Sequence, residues 1–273
     1  MFGWLKRLFR RKDSAARRQP GRQRIQVANI QGIGARSRQE DAFAFANALD
    51  EKRYTERGMM FCVCDGMGGM RDGKLASETA VKSFRESFIA MNRQGNLSQQ
   101  LKQSFHIASD KVAALLGGNG GSTAVVGIIY QGQLFFASTG DSFLYLLRDT
   151  KLLRLNTVHN MAHLKYLEAI RNGQLDPSTG RNHAEAAALT GFLGLTGYTL
   201  AVDGTTDPLP LRDGDILLAC SDGVGGVLSQ TTLIEAMKAP TVQKMCSNIE
   251  QRIEAYARPH QDNYTALVIG YNQ

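Results

Sequence analysis

Two hundred and seventy-three residues, 43% of them hydrophobic, suffice for one large or two small domains with a substantial core, which excludes disordered and fibrous classes. The net charge of +7 is concentrated at one end: residues 1 to 24 carry nine Lys or Arg against one acid, Asp13, leaving 23 basic and 24 acidic residues, a net of −1, in the remainder. The body of the chain therefore has no electrostatic case for binding nucleic acid.

In chain order, the first segment is the basic one. Met1, Trp4, Leu5, Leu8 and Phe9 recur at helical spacing opposite Lys6, Arg7, Arg10 and Arg11, the pattern of a short interfacial helix. Residues 1–12 read either as a peripheral contact with an anionic membrane or as a solubilising, partner-docking arm. Residues 14–23, with Pro20 and Gly21, read as a flexible linker, so that 1–23 form a tail. From Arg24 to Gln273 there is no low-complexity stretch, repeat or linker, and 24–273 is read as one domain. Strands are predicted over 25–30, 42–46, 59–64, 122–130, 134–138, 143–148, 216–220 and 265–271, many of them too apolar on both sides to be half-solvated. Helices are predicted around Val81, Phe84 and Phe88, and along the stripe Leu97, Leu101, Phe105, Ala108, Val112 and Leu115. A further helix follows from Met161, Leu164, Leu167 and Ile170, closed by Gly173, and a last one from Val242, Cys246, Ile249, Ile253 and Tyr256 behind a Thr241 cap. Strand blocks with helix pairs outside them give a layered α+β domain with a mainly antiparallel sheet core. No apolar run approaches the roughly 20 residues of a membrane span. Four cysteines and no secretory leader point to reduced thiols in a cytoplasm.

The chemistry lies in where acidic residues meet these strands. Asp41 opens one strand, Asp65 closes another, Asp141 and Asp222 follow two more, and Asp262 stands just before the last. Strand ends of a packed sheet core share a rim, so carboxylates distant in sequence converge there. Converging carboxylates repel and need a cation between them. An all-oxygen set suits a hard ion, Mg²⁺ or Mn²⁺. Singly, each Asp-Gly is an ordinary turn. The ordered set carries more: Arg36-x-x-x-Glu40-Asp41, Asp65-Gly66-Met67-Gly68-Gly69, Gly121-Ser122-Thr123-Ala124, Gly140-Asp141-Ser142, Ser221-Asp222-Gly223-Val224 and Asp262-Asn263.

With these motifs the sequence resembles the metal-dependent serine/threonine protein phosphatases, protein phosphatase 2C, in their bacterial form, from about Arg24 to Tyr271. The resemblance implies a four-layer αββα sandwich, two mainly antiparallel sheets flanked by helices, with a two-metal centre at one end. By the same resemblance Asp65 bridges two Mg²⁺ or Mn²⁺ ions, Gly66 offers its carbonyl, and Asp222 and Asp262 complete the first site. Glu40 and Asp41 orient metal-bound water, Asp141 with Asp222 forms a third, weaker site, and Arg36 binds the substrate phosphate. Arg36, Asp65 and Asp222 are thus the catalytic residues, and a hydroxide bridging the metals attacks phosphorus without a covalent nucleophile. The implied partners are phosphorylated proteins and a cognate serine/threonine kinase, with the chain acting as a cytoplasmic monomer, peripheral at the inner membrane face if the tail binds lipid. The alternative is a weak or inactive relative that binds phosphoproteins.

Other readings fare worse. His106, His159, His163, His183 and His260 show no zinc or triad spacing. Cys62, Cys64, Cys220 and Cys246 suit packing, and Gly117 to Gly121 lacks the Lys-Ser/Thr of a P-loop. Residues 157–190 correspond to the flap beside the active site in the resembling family. Met67 stands where many relatives from higher organisms have His. Gln39, Met70 and Phe143 also depart from the usual family residues, Asn, His and Arg.

Overall fold

The computed structural model describes residues 24–68, 72–176, 178–256 and 258–273. The tail reading of residues 1–23, with its membrane contact, and the departure at Met70 lie outside the described residues. In chain order the elements are β1 (Ile25–Gly32), β2 (Ala42–Ala46), α1 (Glu51–Arg57), β3 (Met59–Cys64), β4 (Gly66–Met67), α2 (Asp72–Ala90), α3 (Leu97–Leu116) and β5 (Gly121–Ser122). There follow β6 (Ala124–Tyr130), β7 (Gln133–Thr139), β8 (Phe143–Arg148), β9 (Lys151–Arg154), α4 (Met161–Arg171), α5 (Ser178–Arg181), β10 (Asp203–Gly204) and β11 (Leu209–Pro210). The last are β12 (Ile216–Cys220), α6 (Asp222–Gly225), α7 (Gln230–Met237), α8 (Val242–Tyr256) and β13 (Tyr264–Tyr271).

Two antiparallel sheets, in the orders β1-β13-β12-β8-β9 and β10-β7-β6-β3-β2, stack between helices. Strand alternation sorts their side chains into layers. Along β3, Met59, Phe61 and Val63 pack against Leu217, Ala219, Leu267 and Ile269 of the facing sheet. The intervening Met60, Cys62 and Cys64 pack outward on Phe84, Leu101 and Phe105 of α2 and α3. On the other side, Leu218, Cys220 and Val268 meet Leu233, Met237, Cys246 and Ile249 of α7 and α8. Strands covered on both faces read as continuous apolar runs, as the sequence led us to expect, and the result is the four-layer αββα sandwich. The cysteines are all buried and unbridged. Among the described residues no helix is long and apolar enough to cross a membrane.

Close packing leaves Gly127 no substitute: a Cβ there would stand 2.1 Å from the Phe61 ring. Gly127→Ala should destabilise by about 1–3 kcal/mol, the cost of an overpacked core. Urea unfolding measures this as a lower midpoint at unchanged slope.

Helix ends follow local chemistry. Asn96 accepts from the Gln99 N–H and Gly117, at φ +57°, closes α3; Thr241 accepts from the Lys244 N–H at 3.2 Å, so the expected cap of α8 is present. Two stripe members behave otherwise: Leu115 and Tyr256, at the last turns of their helices, are half exposed. The predicted strand 122–130 is split at Thr123, which turns aside to hold Asp65. The short α1 and α7 and the strands β9, β10 and β11 have too few periodic residues to stand out in the sequence.

Candidate metal centre and phosphate site

β3 runs into Asp65, whose backbone is held on both sides. Its N–H donates to the Thr123 hydroxyl at 3.1 Å, while its carbonyl accepts from the Thr123 N–H at 2.8 Å and the Ser122 hydroxyl at 3.1 Å. Gly66 next pairs in β4 with Ser122 of β5, so close to the start of α2 that a Cβ would lie 2.0 Å from the Gly73 carbonyl oxygen. Gly140, at φ +89°, turns β7 past Thr123 and delivers Asp141. β12 ends in Ser221, whose hydroxyl donates to Asp41 at 2.8 Å and accepts from the Thr265 N–H at 3.0 Å; Asp222 then opens α6. Gln39 spans the entry to β2, accepting from the Asp41 N–H and donating to the Gly32 carbonyl, so the Gln at this position fixes the Asp41 backbone.

A hollow of about 300 Å³ at this end of the sandwich is bordered by Arg36, Glu40, Asp65, Gly66, Asp141, Asp222 and Asp262. Seven of the eight predicted site residues therefore share one cavity. The eighth, Asp41, lies just behind it, buried and hydrogen-bonded to Asp65. Ala187 and Leu189, from residues 157–190, border the same hollow, as does Met67.

The electrostatics match crowded acids. Burial, then the charges of Asp41, Asp222, Asp141 and Asp262, push the Asp65 carboxyl well above the usual range. Burial pushes Asp41 up to about 6, and burial with the Asp222 charge pushes Asp141 up to about 7. Asp222 is raised by burial and by Asp262. Asp65 lies within hydrogen-bonding distance of both Asp41 and Asp222. Two oxygens, Oδ1 of Asp41 and Oδ1 of Asp222, are buried with no hydrogen-bond partner. Buried carboxylate oxygens without a donor, beside further carboxylates lining the same hollow, are what a hard cation would satisfy, so the donor set fits a divalent ion. Among the described residues, no three His, Cys, Asp or Glu side chains stand as a closed ligand group. Arg36 pairs one of the acids: its guanidinium donates to Asp262 Oδ2 at 2.6 Å.

Sequence reasoning assigned no role to the groups that hold these residues. Asn263, buried, accepts the Glu40 N–H at 2.8 Å and donates to the Ile33 and Arg38 carbonyls at 2.9 Å, clamping the loop that carries Arg36. The Asn160 side chain donates to Asp141, and His159 exchanges hydrogen bonds with Gly140, tying residues 157–190 to the site. The only hint in the sequence was adjacency to a motif, as with Asn263 after Asp262. Phe143 stacks on Tyr145 at 5.8 Å and packs where Gly225 leaves room, so its departure from Arg is absorbed in packing. The predicted helix with Met161, Leu164, Leu167 and Ile170 forms as α4, but only Ala169 in it is buried.

A model of the protein phosphatase 2C family matches residues 25–181, more than half of the chain. The serine/threonine phosphatase stp of Listeria monocytogenes is 29% identical over 216 residues, 76% of this chain and 82% of that protein. The fold superimposes on the crystal structure of the Mycobacterium tuberculosis serine/threonine phosphatase PstP with a TM-score of 0.76 at 23% identity, covering 91% of this chain and 99% of that one. It also matches the catalytic domain of PstP in complex with two manganese ions, with a TM-score of 0.72 at 22% identity, covering 91% and 99%. With the motifs in order, the two sheets stacked between helices and the carboxylates at one end, the chain belongs to the protein phosphatase 2C family.

Proposed function

We propose that residues 24–273 form a bacterial-type, Mg²⁺- or Mn²⁺-dependent phosphatase domain that hydrolyses phosphoserine and phosphothreonine in proteins, reversing a serine/threonine kinase, with residues 1–23 as an appended tail. The observation that carries this reading is the convergence of Glu40, Asp65, Asp141, Asp222 and Asp262 on one hollow, with Asp41 buried behind it and the guanidinium of Arg36 at its edge. The names of the stp and PstP relatives and the manganese in one PstP structure support it.

Asp65, Asp222, Asp262 and the Gly66 carbonyl would hold one ion, Asp65 would reach a second, and Asp141 with Asp222 a weaker third. Bound divalent ions supply activation of water and neutralisation of phosphoryl charge. The chain's own residues do the remainder. Asp41, fixed by Ser221 and Gln39 just behind the hollow, and Glu40, fixed through its N–H by Asn263 on its rim, would orient water bound there. Arg36 leaves Asp262 for the substrate phosphate, whose oxygens its planar fork engages in two-point contact. Ala187 and Leu189 give that side of the hollow an apolar border.

Hydrolysis of p-nitrophenyl phosphate with Mn²⁺, abolished by EDTA and restored by the metal, tests the reading. Metal-independent turnover would refute it, and tight phosphopeptide binding without turnover would identify a binding module. Arg36→Ala should raise KM by about 10- to 100-fold, the worth of one charge-assisted contact. Initial-rate kinetics at saturating Mn²⁺ report this.

A further inference from the structure

A second hollow, of about 680 Å³, begins at Asp41, the neighbour of Glu40 on the catalytic rim, and runs along one face of α2. Lys74, Val81, Lys82, Arg85 and Ile89 line that face, and β2, an edge strand of its sheet, borders it through Phe43. Its lining carries Lys74, Lys82 and Arg85 against Asp41, Glu78 and Glu86, but Asp41 is buried and the two glutamates are engaged. Glu86 is taken by Lys111 of α3 at 2.7 Å, and Lys74 lies 3.7 Å from Glu78. Lys82 and Arg85 are exposed and enter no ion pair among the described residues. Val81 is half-buried, and Ile89 is 69% exposed.

We propose that this groove docks the substrate: it receives an extended, acidic segment of the same phosphoprotein whose phosphorylated residue enters the carboxylate hollow. The proposal rests on the phosphatase reading and adds to it a preference of sequence. Three observations select this occupant. The groove begins at Asp41, one residue after Glu40 of the catalytic rim. Its exposed cations outside any ion pair among the described residues, Lys82 and Arg85, attract acidic side chains and repel the chain's own tail, with nine basic residues against one acid in residues 1 to 24. An edge strand offers main-chain hydrogen bonds to any extended peptide, while Val81 and Ile89 offer apolar contact.

The geometry also sets the spacing. α2 starts at the hollow, since a Cβ on Gly73 would lie 3.0 Å from the Glu40 carboxyl carbon. Lys82 and Arg85 lie nine and twelve residues further along, about 14–18 Å at the helical rise. An extended peptide covers that in about four to six residues. Acidic side chains about four to six positions from the phosphorylated residue should therefore meet the two cations.

The test uses the full chain with Mn²⁺ and phosphothreonine peptides carrying three Asp or three Gln at those positions, on either side of the phosphothreonine. The wild type should show a KM about tenfold lower for the acidic peptide, the worth of two exposed charge contacts. Lys82→Glu combined with Arg85→Glu should abolish or reverse that preference, with kcat and p-nitrophenyl phosphate turnover unchanged. Equal KM values in the wild type, or a preference that survives charge reversal, would overturn the proposal. So would a chain lacking residues 1–23 that alone acquires the preference, for then the tail fills the groove. Absence of p-nitrophenyl phosphate turnover in the wild type would condemn the phosphatase reading instead. Fluorescence anisotropy of the labelled acidic peptide, bound by wild type and not by the charge-reversed chain, would still decide the groove.

Discussion

Asp65→Asn should cut Mn²⁺-dependent turnover by at least about a thousandfold, roughly 4 kcal/mol of transition-state stabilisation, while raising the Tm of the metal-stripped protein at neutral pH. The two effects have one cause. Asp65 is buried, and the charges of Asp41, Asp222, Asp141 and Asp262 add to that penalty on its ionised form. Asn has nearly the same shape and keeps the backbone bonds to Thr123 and Ser122, yet carries no charge. Without metal, the folded chain holds protons that the unfolded chain has already released, because Asp41 and Asp141 are raised to about 6 and about 7. Stability from these groups is fully present below about pH 4 and is lost as pH rises through about 6 to 7. Asp65, raised in the same direction, adds its own share of this loss, which the substitution removes, and each kcal/mol relieved raises Tm by about 2–4 °C in a chain of this size. Added Mn²⁺ should reverse the ranking, since the wild type gains ligands for its anionic oxygens and the variant has lost one. Thermal scans at pH 5 and 7.5, with EDTA and with Mn²⁺, measure this. A variant less stable than wild type at pH 7.5 in EDTA, or one equally stabilised by Mn²⁺, would contradict the role given to Asp65.

The sequence displayed the strands of this fold for a physical reason. Those covered on both faces, β3, β6, β12 and β13, are unbroken apolar runs, and their limits could be read to within a residue or two. The edge pieces β9, β10 and β11 carry no such signal because one side or both face solvent. The aspartates were legible because each stands where an apolar run stops. Their supports were not. Asn263, Ser221, Thr123 and Asn160 are small polar residues whose meaning lies in a partner up to 230 positions away, and no local period or spacing marks such a bond. Nor could spacing show that Arg36 pairs with Asp262, or that α2 presents Lys82 and Arg85, in no ion pair among the described residues, along a groove that starts near the catalytic rim.

Asn263 offers the sharpest test of those hidden supports. Its one amide satisfies three backbone groups of residues 33–40: the Glu40 N–H and the Ile33 and Arg38 carbonyls. Asn263→Ala leaves all three to water or to nothing, and should cost about 2–4 kcal/mol, since an unpaired buried group costs about 1–3 kcal/mol and this loop is partly open to solvent. Arg36 and Glu40 both depend on that loop, and a shift of about 1 Å in a positioning group is worth about a hundredfold in rate. We therefore expect kcat/KM for p-nitrophenyl phosphate to fall by about 10- to 100-fold per folded molecule, with inorganic phosphate becoming a correspondingly weaker competitive inhibitor. Asn263→Asp separates the contributions. It keeps the acceptor for Glu40 but loses both donors and adds a further negative charge to the rim, so its deficit should be greater in EDTA than in Mn²⁺, whereas that of Asn263→Ala should be nearly indifferent to metal. A lower Tm with unaltered phosphate inhibition would make Asn263 a stabilising residue only, because a clamp that positions Arg36 cannot be released without weakening the grip on phosphate.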